Sequence, residues 1–216
     1  MARKLRIQFE GAIYHVINRG NYRRDLFENA NAKRSFESCL LLDAADRFKW
    51  KLHAFSLLRN HFHLVPETEH ANLSEGMQWL QVTHAVRFNR FRNERGHLFQ
   101  GRFKAILIEN GASLARVVNF VHLNPVETKI FEPEQITEYR WSSLYHFLRQ
   151  NVPLVLSAKD WLAELRSSGV DDIHGYVSYL QTLARDREEQ KRQGWAGMNH
   201  GWAIGTQGWR ETLARE

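Results

Sequence analysis

The stretch "GAIYHVINRG", residues 11–20, alternates. Ile13, His15 and Ile17 share one side, and Tyr14, Val16 and Asn18 share the other. Successive side chains of a strand point to opposite faces, so this β-branched run between glycines predicts a strand, with Tyr14 facing away from His15. The rhythm changes at 29–48, "NANAKRSFESCLLLDAADRF", where Phe36, Leu40, Ala44 and Phe48 recur at helical spacing. "WKLHAFSLL", 50–58, and "NHFHLVPE", 60–67, read as two strands with a tight connection. "NLSEGMQWLQVTHAVRFNRFRNER" has the clearest helical pattern, with Leu73, Met77, Leu80, His84, Phe88 and Phe91 as its buried stripe. Asn72 is the expected N-cap, with Glu75 three residues on, and Arg87, Arg90, Arg92 and Arg95 crowd the C-terminal end. A strand at 102–109, "RFKAILIE", is followed by "SLARVVNFVHLN", a short helix capped by Ser113 and stopped at Pro125.

The order β-α-β-β-α-β-α is the split βαβ, or ferredoxin-like, arrangement of the α+β class, with one more helix. It predicts an antiparallel sheet with helices on one face and the other face free for a ligand. "EYRWSSLYHF", 138–147, reads as a small packed element, and "DDIHGYVSYLQTLARDREEQKRQ" as one helix, fully charged beyond Ala184. The chain divides into a functional domain, 1–150, and a C-terminal helical and Trp/Gly-rich appendage, 151–216. Its tail is rich in aromatic residues, which is unusual for a free tail. The tail is expected to fold back over the ligand face and regulate access.

Charge sharpens this division. The 216 residues carry a formal net charge of +6, but residues 1–150 hold 22 Lys+Arg against 15 Asp+Glu and the remainder 8 against 9. A polyanionic partner therefore belongs to the first 150 residues. The single cysteine, Cys39, excludes a disulfide framework and a thiolate zinc knuckle. No apolar run reaches the roughly 18 residues that span a membrane, and "MARKLRIQFE" lacks the apolar core of a secretory signal. A cytoplasmic protein without a membrane partner is expected.

In "NHFHLV", His61 and His63 stand two apart on a strand, so both imidazoles point the same way. Adjacent histidines on one face can ligate one divalent cation, or they can be ordinary sheet histidines, one hydrogen-bonded and one solvated. Phe120 and Asn124 lie one helical turn apart, at the edge of the stripe Leu114, Val117, Val118 and Val121. From there Asn124 can offer a carbonyl oxygen to the histidines, or it can simply cap the helix before Pro125. Phe120 on the same reasoning can be a mere flank of the core.

The ordered set "GAIYHVINRGN", "LLRNHFHLV", "NLSEGM", "GHLFQGRFKAILIE" and "NFVHLNPVETK", followed by "YRWSSL", resembles the single-tyrosine HUH transposases. Within them it is most similar to the REP-associated tyrosine transposases, over about residues 10–147, and "WAIGTQGW" is similar to the C-terminal end of that branch. The resemblance implies a partner, single-stranded DNA folded into REP-like hairpins, and a monomer rather than a dimer. It implies that His61, His63 and Asn124 hold Mg²⁺ or Mn²⁺, which polarises the scissile phosphate. It also implies a tyrosine one turn before Asn124 that attacks phosphorus, leaving a 5′-phosphotyrosine link and a free 3′-OH.

That tyrosine position is occupied by Phe120. Phenylalanine has no oxygen to attack with, so DNA cleavage and strand transfer are expected to be disabled as written. Three explanations are open: a deliberate Tyr→Phe substitution, a natural copy that binds hairpins without cutting, or a substitute among Tyr14, Tyr22, Tyr139, Tyr145, Tyr176 and Tyr179. Arg59 also stands where the resemblance leads one to expect proline. Candidate DNA-binding residues are Arg19, Asn21, Tyr22, Arg23 and Arg24 after the first strand, and His97, Phe99, Gln100, Arg102 and Lys104 around the last. The cations suit phosphates, while Asn21, Tyr22 and Phe99 suit unpaired bases. A non-catalytic hairpin-binding protein is the alternative function. A hydrolase in which His61 and His63 activate water is a third, disfavoured by the lack of a nearby carboxylate motif.

Overall fold

The computed structural model describes residues 6–215. Strand β1, Ala12–Arg19, leads to helix α1, Ala30–Ser38, which continues through a π-helical segment, Cys39–Ala44, into α2, Ala45–Arg47. Strands β2, Trp50–Leu57, and β3, His61–Thr68, precede α3, Leu73–Arg92; β4, Lys104–Ile108, and α4, Ala112–Glu127, follow. The ferredoxin-like α+β order is thus present. Beyond it come α5, Ser143–Phe147, α6, Lys159–Leu165, α7, Ile173–Arg185, α8, Arg187–Arg192, β5, Ala203–Ile204, and α9, Gln207–Arg215.

The sheet order is β2-β3-β1-β4-β5. The first four strands pair antiparallel, but β5 pairs parallel with β4, so the sheet is mixed. Pro66 lies in β3, a central strand, where it has no N–H to give the ladder. The irregularity between Leu52 and Ala54 on β2 lies opposite Val65 and Pro66, and it pushes His53 out of register. His53 Nε2 then meets Glu67 Oε2 at 2.8 Å. Lys51 bridges Glu67 (2.7 Å) and Asp160 (3.1 Å), which ties α6 to the sheet.

One face of the sheet presents Tyr14, Val16, Leu52, Phe55, Phe62 and Leu64 to Phe36, Leu40, Met77 and Leu80. Gly76 is needed there, because a Cβ would run into the Trp50 ring. The other face is not free, contrary to expectation. Ile13, Ala54, Val65 and Ile108 are covered by α4, and behind α4 pack Trp161, Tyr176, Leu180 and Leu183 of the appendage. Helix α4 is buried from Ser113 to Pro125 except at Arg116, so it needs apolar neighbours on nearly all sides and gets them from both the sheet and the appendage. What stays open is one end of the sheet, where β1 finishes and β3 and β4 begin.

Several local expectations change for physical reasons. Asn72 does not cap α3; its side chain accepts from Trp50 Nε1 (3.0 Å) and donates to the Phe48 carbonyl (2.9 Å). Gln8 instead accepts from the Ser74 N–H at 2.7 Å. Phe91 is 77% exposed and lies off the buried stripe. Gly111, not Ser113, precedes the first turn of α4. Pro125 does not stop that helix, since it removes a single donor and Thr128 closes the end through its N–H (2.9 Å) and Oγ1 (2.8 Å) to the Asn124 carbonyl. The charged helix beyond Ala184 breaks at Asp186, whose side chain caps α8 through the Glu189 N–H. No helix among the described residues is long and apolar enough to cross a membrane.

Candidate nucleic-acid and metal site

Antiparallel pairing brings the ends of β1 and the starts of β3 and β4 to one place. Arg19 lies opposite His61, and Ile17 opposite both His63 and Lys104. His61 and His63 point the same way, as strand alternation requires, with ring centroids 5.2 Å apart. Helix α4 brings Asn124 against them. A cleft of about 650 Å³ opens here, lined by His61, His63 and Asn124 and by the cations Arg19, Arg23, Arg102 and Lys104. Ile17, Asn18, Asn60, Gln100, Thr128, Asn199 and His200 complete its wall.

The donor atoms are well defined. His61 Nδ1 lies 2.8 Å from Asn60 Oδ1, and Asn60 donates to the Arg23 carbonyl, so its oxygen faces the imidazole. Burial holds the His61 pKa below the usual imidazole value, with Arg19 adding to the shift and the Asn124 side chain opposing it. Burial holds His63 well below that value, with His15 and His61 adding to the shift. Both rings are therefore neutral at pH 7 and carry a lone pair. Asn124 Oδ1 is buried, and although the Asn124 side chain reaches toward His61, it forms no hydrogen bond of good geometry with any of the described residues. An unsatisfied buried carbonyl oxygen costs about 1–3 kcal/mol, which a fold tolerates where the atom has another use.

Phe120 is 7% exposed, one turn before Asn124. Its ring meets His63 edge-on (centroids 5.7 Å), His15 (5.9 Å) and Trp195 (5.6 Å). Trp195 belongs to the tail, which does fold back as expected. The Met198 carbonyl reaches His15 at 2.9 Å, the Asn199 carbonyl accepts from Lys104 Nζ at 2.6 Å, and His200 lines the cleft. Backbone bonds from Leu107 to Trp202 and from Glu109 to Ile204 anchor this return.

Of the candidate DNA-binding residues, Arg19, Arg23, Gln100, Arg102 and Lys104 come together in the cleft. Tyr22 is 93% exposed just outside it, and Tyr22 and Arg23 are consecutive left-handed residues (φ 51° and 58°). Gly20 starts this tight turn, and a Cβ there would strike the Arg24 carbonyl. Asn21 donates its N–H to the Leu98 carbonyl, and His97 is exposed. Arg24 is ion-paired with Glu94. The Phe99 ring packs inward on Phe62 and His84. Arg59 pairs with Asp25 at 2.8 Å, away from the cleft lining.

The six tyrosines also have places. Tyr14 is buried in the core on the side away from His15, Tyr145 lies under the Arg149 guanidinium, and Tyr139, Tyr176 and Tyr179 hydrogen-bond to Leu57, Asn119 and Gln193. Among the described residues no tyrosine lines the cleft. Sequence reasoning missed His15, Asn60 and the tail residues Asn199 and His200. For His15 the signal was present, because the alternation that aligns His61 with His63 puts His15 on one side with Ile13 and Ile17. Another convergence of donors, His53, Glu67 and Asp160 within 4.8 Å, lies outside the cleft lining and is bridged by the Lys51 ammonium.

No curated protein sequence matches this chain. Among solved structures, a REP-associated tyrosine transposase bound to a REP hairpin superposes with a TM-score of 0.56 at 15% identity, covering 74% of this chain and 93% of that one. The tRNA(His) guanylyltransferase of Saccharomyces cerevisiae aligns at a TM-score of 0.42 and 10% identity, over 83% of this chain and 82% of that one, too distant to carry an argument. The family model described as "Transposase IS200 like" matches residues 8–124, more than half of the chain and all of the segment from β1 to Asn124. The chain belongs to the IS200-like transposase family.

Proposed function

We propose that this chain binds single-stranded DNA folded into REP-like hairpins, as a monomer in the cytoplasm, on a scaffold built for metal-dependent cleavage and strand transfer. The supporting observation is the convergence of His61, His63 and the unsatisfied Asn124 Oδ1 in a cleft walled by four cations. Two neutral imidazoles and one carbonyl oxygen suit Mg²⁺ or Mn²⁺, which ordinarily complete their shells with water and phosphate oxygens. A cation held there supplies Lewis-acid polarisation of a phosphate oxygen. Arg19, Arg23, Arg102 and Lys104 bind and orient the phosphodiester backbone. Residues 1–150 form the DNA-processing domain, and 151–216 form an appendage whose tail regulates access to it.

Phe120 occupies the nucleophile's position, so the chain as written holds DNA without cutting it. A tyrosine there would attack phosphorus through its phenolic oxygen. The new O–P bond forms as the P–O3′ bond breaks, the phenolic proton is lost, and the departing 3′ oxygen takes up a proton. The test compares this protein with Phe120→Tyr on hairpin oligonucleotides with short 5′ flanks, in Mn²⁺, on denaturing gels. A covalent protein–DNA band with Phe120→Tyr alone is expected. Binding by both without any band, over a series of flanks, favours the non-catalytic hairpin binder. DNA cut equally by both proteins without an adduct supports water activation instead.

A further inference from the structure

His15 belongs to none of the roles assigned above, yet it is fully buried beside His63. Its Nδ1 lies 2.9 Å from the Met198 carbonyl oxygen, and its Nε2 lies 2.9 Å from His63 Nδ1. The two rings are within 24° of parallel. A carbonyl oxygen only accepts, so His15 Nδ1 carries the proton. Among the described residues neither nitrogen meets a carboxylate and the ring is fully buried, so the imidazole is neutral. His15 Nε2 is then a bare acceptor, and His63 Nδ1 must donate to it. The opposite arrangement would set two lone pairs against each other. His63 is left with its proton on Nδ1 and a lone pair on Nε2.

His61 is set the same way by a different partner. Asn60 Oδ1 accepts from His61 Nδ1, which again leaves Nε2 with the lone pair. We propose that His15, held by the Met198 carbonyl, is a positioning residue that fixes the tautomer of His63 and presents its Nε2 to the cleft. The proposal rests on the metal reading above for its purpose, but not for its test. It makes a backbone carbonyl 183 residues away in sequence part of the site. It also gives the tail a constructive task, because the end of the chain completes the relay that orients a β3 side chain. Hydrogen-bond partners of a ligating histidine raise its basicity and fix its ring, and losing one typically lowers metal affinity about 10- to 100-fold.

The experiment is long-range ¹H–¹⁵N NMR of the ¹⁵N-labelled, metal-free full chain at neutral pH, on the protein itself and on His15→Phe and His15→Gln. The expected result is the Nδ1–H tautomer for both His15 and His63. His15→Phe removes the acceptor and should shift His63 toward Nε2–H. His15→Gln offers Oε1 as an acceptor and should keep Nδ1–H. Mn²⁺ titration of the same three proteins should show about tenfold or greater loss in His15→Phe and partial or full recovery in His15→Gln. His63 found as Nε2–H in the unmodified protein, or left as Nδ1–H by His15→Phe, overturns the proposal. Should His15→Phe fail to fold, the tautomers of the unmodified protein and His15→Gln decide. The expected tautomers with no Mn²⁺ binding in any protein uphold the relay and refute the metal reading, so the two failures are told apart.

Discussion

Helix α4 carries two sets of polar side chains into the interior, and they meet opposite fates. Toward the appendage, His122 meets Tyr176 Oη through Nδ1 (3.0 Å) and Ser143 Oγ through Nε2 (2.8 Å). Tyr176 in turn donates to Asn119 Oδ1 (3.0 Å), and Ser143 Oγ accepts from the Phe55 N–H (2.8 Å). This network is sealed, since His122, Ser143 and Tyr176 are wholly buried. Toward the sheet end, Asn124 and the two cleft histidines face an open, cationic cleft, and the Asn124 oxygen has no partner. The residue types are nearly the same. The difference is satisfaction: in the closed network each named polar atom has a partner within the protein, while in the open one the Asn124 oxygen does not.

The largest test of this contrast uses Phe120→Tyr as background. Replacing His61 or His63 with Ala there should reduce adduct formation by at least about 100-fold, the scale of losing an electrostatic stabiliser, while hairpin binding by gel shift changes only a few-fold. Equal adduct formation would remove the two histidines from the chemistry.

Next comes stability. Asn119→Leu strips Tyr176 of its acceptor and should lower unfolding free energy by about 1–3 kcal/mol, read from urea midpoints. Asn124→Leu removes an oxygen that is already unsatisfied, so it should be neutral or stabilising while weakening Mn²⁺ binding. Destabilisation of equal size by both would mean that the two sites do not differ in this way.

The pH profile probes the buried rings. Burial pushes His122 down to about 3 and, with the Leu26 backbone opposing and Arg87 adding to the shift, His84 down to about 4. Unfolded, each titrates near 6.5. Between that value and the folded one the unfolded chain binds more protons, so stability falls as pH drops below 6.5. The loss is about 1.4 kcal/mol per pH unit for each such histidine. Urea midpoints measured from pH 7.5 to 5.5 should be level above 6.5 and decline below it.

Smallest are the single cations. Arg102→Ala and Lys104→Ala should each make the salt dependence of hairpin binding shallower by roughly 0.7–0.9 in log–log slope. Arg24→Ala should leave that slope unchanged, because Glu94 already neutralises the charge.

Much of the site was legible because strand periodicity is strict. Alternation alone placed His61 and His63 on one face and Tyr14 on the face opposite His15. Helical spacing placed Phe120 and Asn124 one turn apart. What spacing does not carry is the identity of the neighbour. Asn72 has every mark of a cap, but the Trp50 indole and the Phe48 carbonyl, set by the adjacent strand, take its side chain. Phe91 continues the apolar stripe in register, yet it lies where no element covers α3. Alternation puts His15 on one side with Ile13 and Ile17, but only the place of β1 between β3 and β4 sets it beside His63.

The chain by itself determined the order of elements, the basic character of the first 150 residues, the pair of imidazoles on one strand face, and a phenylalanine one helical turn before Asn124. These follow from local rules: periods of 2 and 3.6, charge, and the chemistry of single side chains. Tertiary structure alone decided that the second sheet face is covered, that Asn124 Oδ1 is left unpaired, and that a carbonyl at Met198 sets the tautomer of His15. Those depend on atoms far apart in sequence, and hydrogen-bond direction is defined only once both partners are in place.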